Sequence, residues 1–243
     1  MHVLVEKVGS LRARERIKDM NKASLITAAA TLTLTGAAMA GAGFTGFSGT
    51  VDTYTDGLGV DWTVIDVYAN FSDDSYAVLN VFNADITSSD GLGFSHNDLA
   101  DASGGSWKPS FSFDIPGAYD PMKDSYVTIG YGVGASAALN QTALDPGFGS
   151  GSGAFIPSGA GWFNLTPDNP QYASGGQIQI GHFVMSTMRD VSSMSFSAEI
   201  GYNTGPGTSV NFGSDDINIA LVPAPGALAL LGLGGLVARR RRA

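Results

Sequence analysis

Two pairs of adjacent aspartates, Asp73–Asp74 and Asp215–Asp216, are the residues whose type and spacing could do chemistry. Calcium takes about six to eight oxygen ligands, and loop aspartates with nearby carbonyls can supply them. Asp90, Asp98 and Asp101 add carboxylates in a Gly- and Ser-rich loop. No run matches an EF-hand loop or a repeated Asp-Gly nonapeptide. Aspartate also favours turns, where it bonds its own backbone, so turn formation and an acidic surface account for the same residues without an ion. Calcium is therefore the one cofactor the sequence offers, and a weak one. Trp107 and Trp162 lie in or beside two long loops. Exposed, they would stack on sugar rings and form a glycan-binding site; buried, they would cap a core.

Other reactive constellations are missing. Gly41-Ala42-Gly43-Phe44-Thr45-Gly46 fits G-x-G-x-x-G, but lacks the preceding strand and following helix that make the motif a phosphate cradle. The histidines are His2, His96 and His182, and there is no cysteine. Scattered histidines without thiolates do not compose a zinc site. There is no H-E-x-x-H and no G-x-S-x-G, and no spacing favours a Ser-His-Asp triad. Gly41 to Val222 carries 3 basic and 19 acidic residues, a formal charge of −16. A body this acidic repels a phosphate backbone, which excludes nucleic acid as a partner.

The elements that must position these residues read as strands. Trp62–Phe71 and Tyr76–Ile86 are rich in β-branched and aromatic residues and flank the polar turn Ser72-Asp73-Asp74-Ser75, which predicts a hairpin. Strict alternation would put Val78, Asn80, Phe82, Ala84 and Ile86 on one face, with apolar residues on both faces as in an interior strand. Period-2 runs follow at "SFSFDI", "YVTIGYGV", "QIQIGHFVMS", "MSFSAEIGY" and "INIALV", with a short run at Val210–Phe212. In the third of these, His182 aligns with Ile178, Ile180 and Val184. About eight short strands with polar turns predict an all-β, single antiparallel β-sandwich, jelly-roll-like in connection. Two loops, Asp90–Lys108 and Asn140–Gly176, are long. Phe155, Trp162, Phe163 and Tyr172 predict that part of the second folds back on the body.

The ends have a different composition. Residues 1–40 read as a signal peptide with Met20 as an alternative start. Lys22 is the positive region, Leu25–Thr35 the apolar region, and Ala38-Met39-Ala40 the cleavage site for signal peptidase. Residues 41–222 are the sandwich domain. Residues 223–243 hold Pro223 and Pro225, then 13 apolar or small residues from Gly226 to Ala238, then Arg239, Arg240, Arg241 and Arg242. As a helix the apolar run would be about 20 Å long, short of a hydrocarbon core of about 30 Å. The arginines would stay cytoplasmic. This is a transient inner-membrane stop.

Val222-Pro223-Ala224-Pro225-Gly226, the Leu/Ala/Gly run and the arginine tail resemble the PEP-CTERM sorting signal of Gram-negative bacteria. Ala224 stands where that signal usually has Glu, and the Ala form with four arginines is similar to variants of planctomycete-like bacteria. The resemblance covers about 21 residues. It implies Pro223 and Pro225 as sorting positions, an exosortase-like membrane protease as processing partner, and residence at the cell surface or in an exopolysaccharide-linked matrix. The expectation is thus an exported structural or adhesive protein without enzymatic activity. The alternative is a lectin-like module, calcium-assisted through the aspartates, and the third reading is a secreted hydrolase on the same scaffold.

Overall fold

The computed structural model describes residues 43–97, 107–108, 120–130, 142–149, 153–168 and 170–221. The signal peptide with Ala38 and Ala40, the sorting motif and arginine tail, "SFSFDI", and Tyr131 to Val133 lie outside them. Among the described residues the fold is all-β. Nine strands run β1 (Phe44–Thr55), β2 (Asp61–Phe71), β3 (Ala77–Ser88), β4 (Tyr126–Val127), β5 (Thr142–Leu144), β6 (Ala160–Asn164), β7 (Gln177–Ser186), β8 (Ser193–Asn203) and β9 (Asn211–Ala220). Two short 3-10 turns, Pro121–Lys123 and Pro146–Phe148, are each opened by an aspartate that accepts a backbone N–H, Asp120 and Asp145. No helix of the described residues is long and apolar enough to cross a membrane.

The strands form two antiparallel sheets, β1-β2-β7-β4 and β5-β6-β3-β8-β9. One continuous core lies between them, built from residues such as Ile65, Val67 and Phe71 of β2, Val78 and Val81 of β3, and Phe196, Ile200 and Tyr202 of β8. β3 takes the middle position of the five-stranded sheet, as its two-sided apolar pattern predicts.

The predicted β2–β3 hairpin is corrected. The two strands lie in opposite sheets, and neither pairs with the other. Their polar turn is bonded outward instead. Ser72 N–H donates to Gly43, Phe71 N–H donates to the Gly176 carbonyl, and Gly176 N–H donates to Asp74 Oδ1. In opposite sheets, the two strands turn their inner sides to one shared core, where β2 meets β8 through Phe71 and Tyr202 and apolar surface is removed from water.

Two further corrections arise from β-bulges. In β3 the pairing with β8 shifts between Val78 and Asn80 and again between Phe82 and Asp85. Val78, Val81, Ala84 and Ile86 therefore face the core, while Asn80 and Phe82 face outward. In β7 the pairing with β2 skips at Ile180. Ile178 and Ile180 face the core, then Phe183 and Met185 do, and His182 turns to the other side with Val184. An extra residue in one strand reverses the alternation beyond it. The strand at Val210–Phe212 and that at Ile217–Leu221 are one strand, β9. β1 and the β5–β6 pair, which the sequence reading leaves as loop, are added.

β1 and β9, the first and last strands, close one side of the sandwich. Gly213 faces Phe44 and Gly49 faces Ile219; a β-carbon at either glycine would collide with that side chain. Between these contacts the Phe47 N–H donates to Asp215 Oδ2 at 2.8 Å. Phe47 belongs to a sheet-edge strand, so this carboxylate satisfies an edge donor that would otherwise be buried without a partner. Asp215→Ala should lower stability by about 1–3 kcal/mol. Asp216→Ala, at the exposed neighbouring position, should stay within about 0.5 kcal/mol of the parent. Urea denaturation of the two variants checks the difference.

Candidate functional site

The expected stacking residues are corrected first. Trp107 and Trp162 are both fully buried. The Trp162 indole donates to the Thr128 carbonyl at 3.0 Å. Trp107 packs among Phe94, His96, Phe148 and Phe183. Neither presents a ring face to solvent: Trp162 lies within β6 and both rings belong to the core.

The aspartate pairs do not gather. Asp73 accepts the Ser75 N–H and so closes the β2–β3 turn; this bonding to Ser75 lowers its pKa. Asp74 holds Gly176. Asp215 and Asp216 lie within β9 rather than ahead of it, one buried and one exposed. Successive strand residues point to opposite faces, so these two cannot share an ion. Among the described residues no group of three or more His, Asp or Glu is placed to hold a metal.

Two histidine–aspartate contacts form instead. His182 Nδ1 lies 2.6 Å from Asp66 Oδ1, which also accepts from Gln179 Nε2 at 2.7 Å. The imidazole is stacked on Tyr126, with centroids 5.0 Å apart. A carboxylate on Nδ1 orients an imidazole for general-base work at Nε2. Here His182 is fully buried and its Nε2 has no hydrogen-bond partner among the described residues. The ring is shut off from solvent, and among the described residues no hydroxyl bonds its Nε2 to complete a triad. His96 lies 3.4 Å from Asp124 through Nδ1 and 3.1 Å from the Gly153 carbonyl through Nε2. It joins three loop segments.

Around Asp66, the outer face of the four-stranded sheet is polar. Burial, then the neighbouring Asp66, raises the pKa of Asp52. Burial, then Asp66, also raises that of Tyr68. Elsewhere the acids are stabilised. The Val60 N–H, with Trp62, Leu58 and Lys123, lowers Asp56 to about 2. Arg189 bonds both oxygens of Asp90 and holds its carboxyl well below the usual range.

The outer face of the five-stranded sheet is different, and sequence reasoning misses it. Phe163, Asn80, Gly201 and Phe212 are successive cross-strand partners on β6, β3, β8 and β9. Phe212 is 61% exposed and Phe163 36%. Phe82 packs edge-on against Phe212, with centroids 6.3 Å apart. The available signal is an aromatic on the polar parity of a strand: Phe212 shares its side with Asp216 and Asn218, opposite Ile217 and Ile219. No protein-family model, curated protein or solved structure matches the chain.

The acids set a pH dependence. Asp56 is depressed in the folded state, so its contribution is complete above its ordinary value of 3.8 and is lost as pH falls through about 2. Denaturation midpoints measured from neutral pH down to about pH 2 should fall over that interval, and fall less in Asp56→Asn. Asp52 has the opposite sign. Its raised pKa means the ionised form opposes folding, so Asp52→Asn should stabilise the protein at neutral pH. That gain should vanish once the solution is more acidic than the ordinary value of 3.8.

Proposed function

We propose that the protein is an exported structural or adhesive component of the cell surface or extracellular matrix, without enzymatic activity, sorted through its C-terminal signal by an exosortase-like enzyme. The observation that carries this reading is where the fold begins and ends. β1 starts at Phe44, three residues after Gly41, and β9 ends at Ala220, three before Pro223. The two strands carrying those ends pack against each other, and the core of the described residues runs from Phe44 to Leu221. Both segments can be removed, as a signal peptide and a processed tail must be, and the jelly-roll-like sandwich is then the mature protein. The tail, with Pro223, Pro225, Gly226 and Arg239 to Arg242, inserts transiently in the inner membrane. Exopolysaccharide is the matrix partner implied by the sorting resemblance. A lectin-like role is the second reading; the exposed aromatic row favours it, now at a site other than Trp107 and Trp162.

Intact mass of the protein recovered from membrane, surface and medium of its host tests the route. The expected species starts at Gly41 and ends near Pro225. A species that keeps Arg239 to Arg242 and stays in the membrane would make the tail a permanent anchor and defeat the sorting reading.

A further inference from the structure

We propose that the outer face of the β5-β6-β3-β8-β9 sheet binds a polysaccharide bearing free amines, through the aromatic row and the carboxylates beside it. This rests on the matrix-protein reading and names its ligand class. Three inter-strand steps of about 4.8 Å place Phe163 and Phe212 about 14 Å apart. Between them the Asn80 side chain lies over Gly201, where a β-carbon would collide with it. The centre of the row is therefore low and carries an amide, while its two ends carry rings. An aromatic face accepts the C–H face of a sugar ring, and it attracts an ammonium group more strongly than a neutral one.

The next rows supply the charge. Phe82 is paired with Glu199 and Asp85 with Ser197, which is paired in turn with Asp216. Asn83 sits at the second bulge of β3 with φ 51°, a left-handed conformation that asparagine tolerates. From there its Nδ2 donates to Glu199 Oε1 at 2.8 Å and fixes that carboxylate on the face. Lys123 and Arg189 are bound to Asp56 and Asp90, and β3, β6, β8 and β9 carry no lysine or arginine. The face is thus negative as well as aromatic. Its complement is a glycan with positive charge rather than an acidic one.

Calorimetric titration of the full chain with glucosamine oligomers tests this, at a pH that keeps their amines protonated. Fully N-acetylated oligomers and dextran serve as neutral probes. The free-amine oligomer should bind most tightly. Phe212→Ala and Phe163→Ala should each weaken binding about tenfold, with the smaller change in melting for Phe212→Ala, whose ring is the more exposed. Glu199→Gln with Asp216→Asn should flatten the salt dependence. Three results overturn the proposal: equal affinity for the N-acetylated oligomer, binding unaffected by both phenylalanine variants, or a dimer of this chain that Phe212→Ala dissociates. Each is read on purified protein, so it is distinguishable from failure of the export reading, which is decided by mass in the host.

Discussion

Phe71 and Tyr76 stand on either side of a four-residue turn and stack on each other, with centroids 5.4 Å apart and planes 14° from parallel. Both also pack against Tyr202 of β8. The rest of the sandwich depends on this contact. A chain leaving β2 at Phe71 could turn back and pair with itself. The ring stack and the bonds from the turn to Gly43 and Gly176 direct it across the core into the other sheet. β2 is then free to pair with β1 and β7 on its two sides, and β3 with β6 and β8. The two strands richest in apolar residues become the middle of opposing layers. That arrangement suits a core that has no disulfide to support it.

Strand existence was legible in the residues, and strand environment was not. β2, β3, β7 and β8 coincide with the period-2 runs to within a residue or two, because alternation and β-branched content report a half-buried pleated surface. Alternation counted from one end fails at a bulge. That is why Asn80 and Phe82 read as core partners of Val78 yet lie outside, and why His182 reads as a neighbour of Ile180 yet meets Asp66. A bulge is fixed by cross-strand pairing between distant residues, which no local window contains. β1 escapes notice for another reason: its Gly, Ser and Thr content resembles a loop, and its strand character comes from pairing with β2 along its length. The tryptophans mislead because a stretch rich in Gly and Ser looks like an exposed loop, while Trp162 lies on a paired strand and both rings pack into the core.

The acidic composition is reconciled with a compact fold by making the carboxylates structural acceptors. Asp56, Asp73, Asp90 and Asp145 each accept from a backbone N–H within four residues. Asp74, Asp124 and Asp215 accept from backbone N–H groups distant in sequence. A carboxylate is the strongest acceptor available to a loop with few cations, and Asp56 and Asp90 recruit Lys123 and Arg189 as well. Much of the −16 charge of the body is thereby used in turns and at the sandwich edge. The carboxylates on the face with the aromatic row are different in kind, since Asp85 and Asp216 stand exposed on strands, where no turn requires them.

The direction of β1 and β9 relates the aromatic row to the tail. Phe44 meets Gly213, Phe47 meets Asp215, and Gly49 meets Ile219, so the first and last strands run side by side in the same direction. The body therefore begins at one end of the sandwich and leaves at the other. Phe212 is at the end where β1 begins; Ala220 is eight residues further along β9, about 26 Å away at 3.3 Å per residue. Under the proposed sorting route, a tail held in a bilayer would turn the Ala220 end toward the membrane and leave the aromatic row as the part of β9 furthest from it. Sorting and the proposed binding would then use opposite ends of the described sandwich.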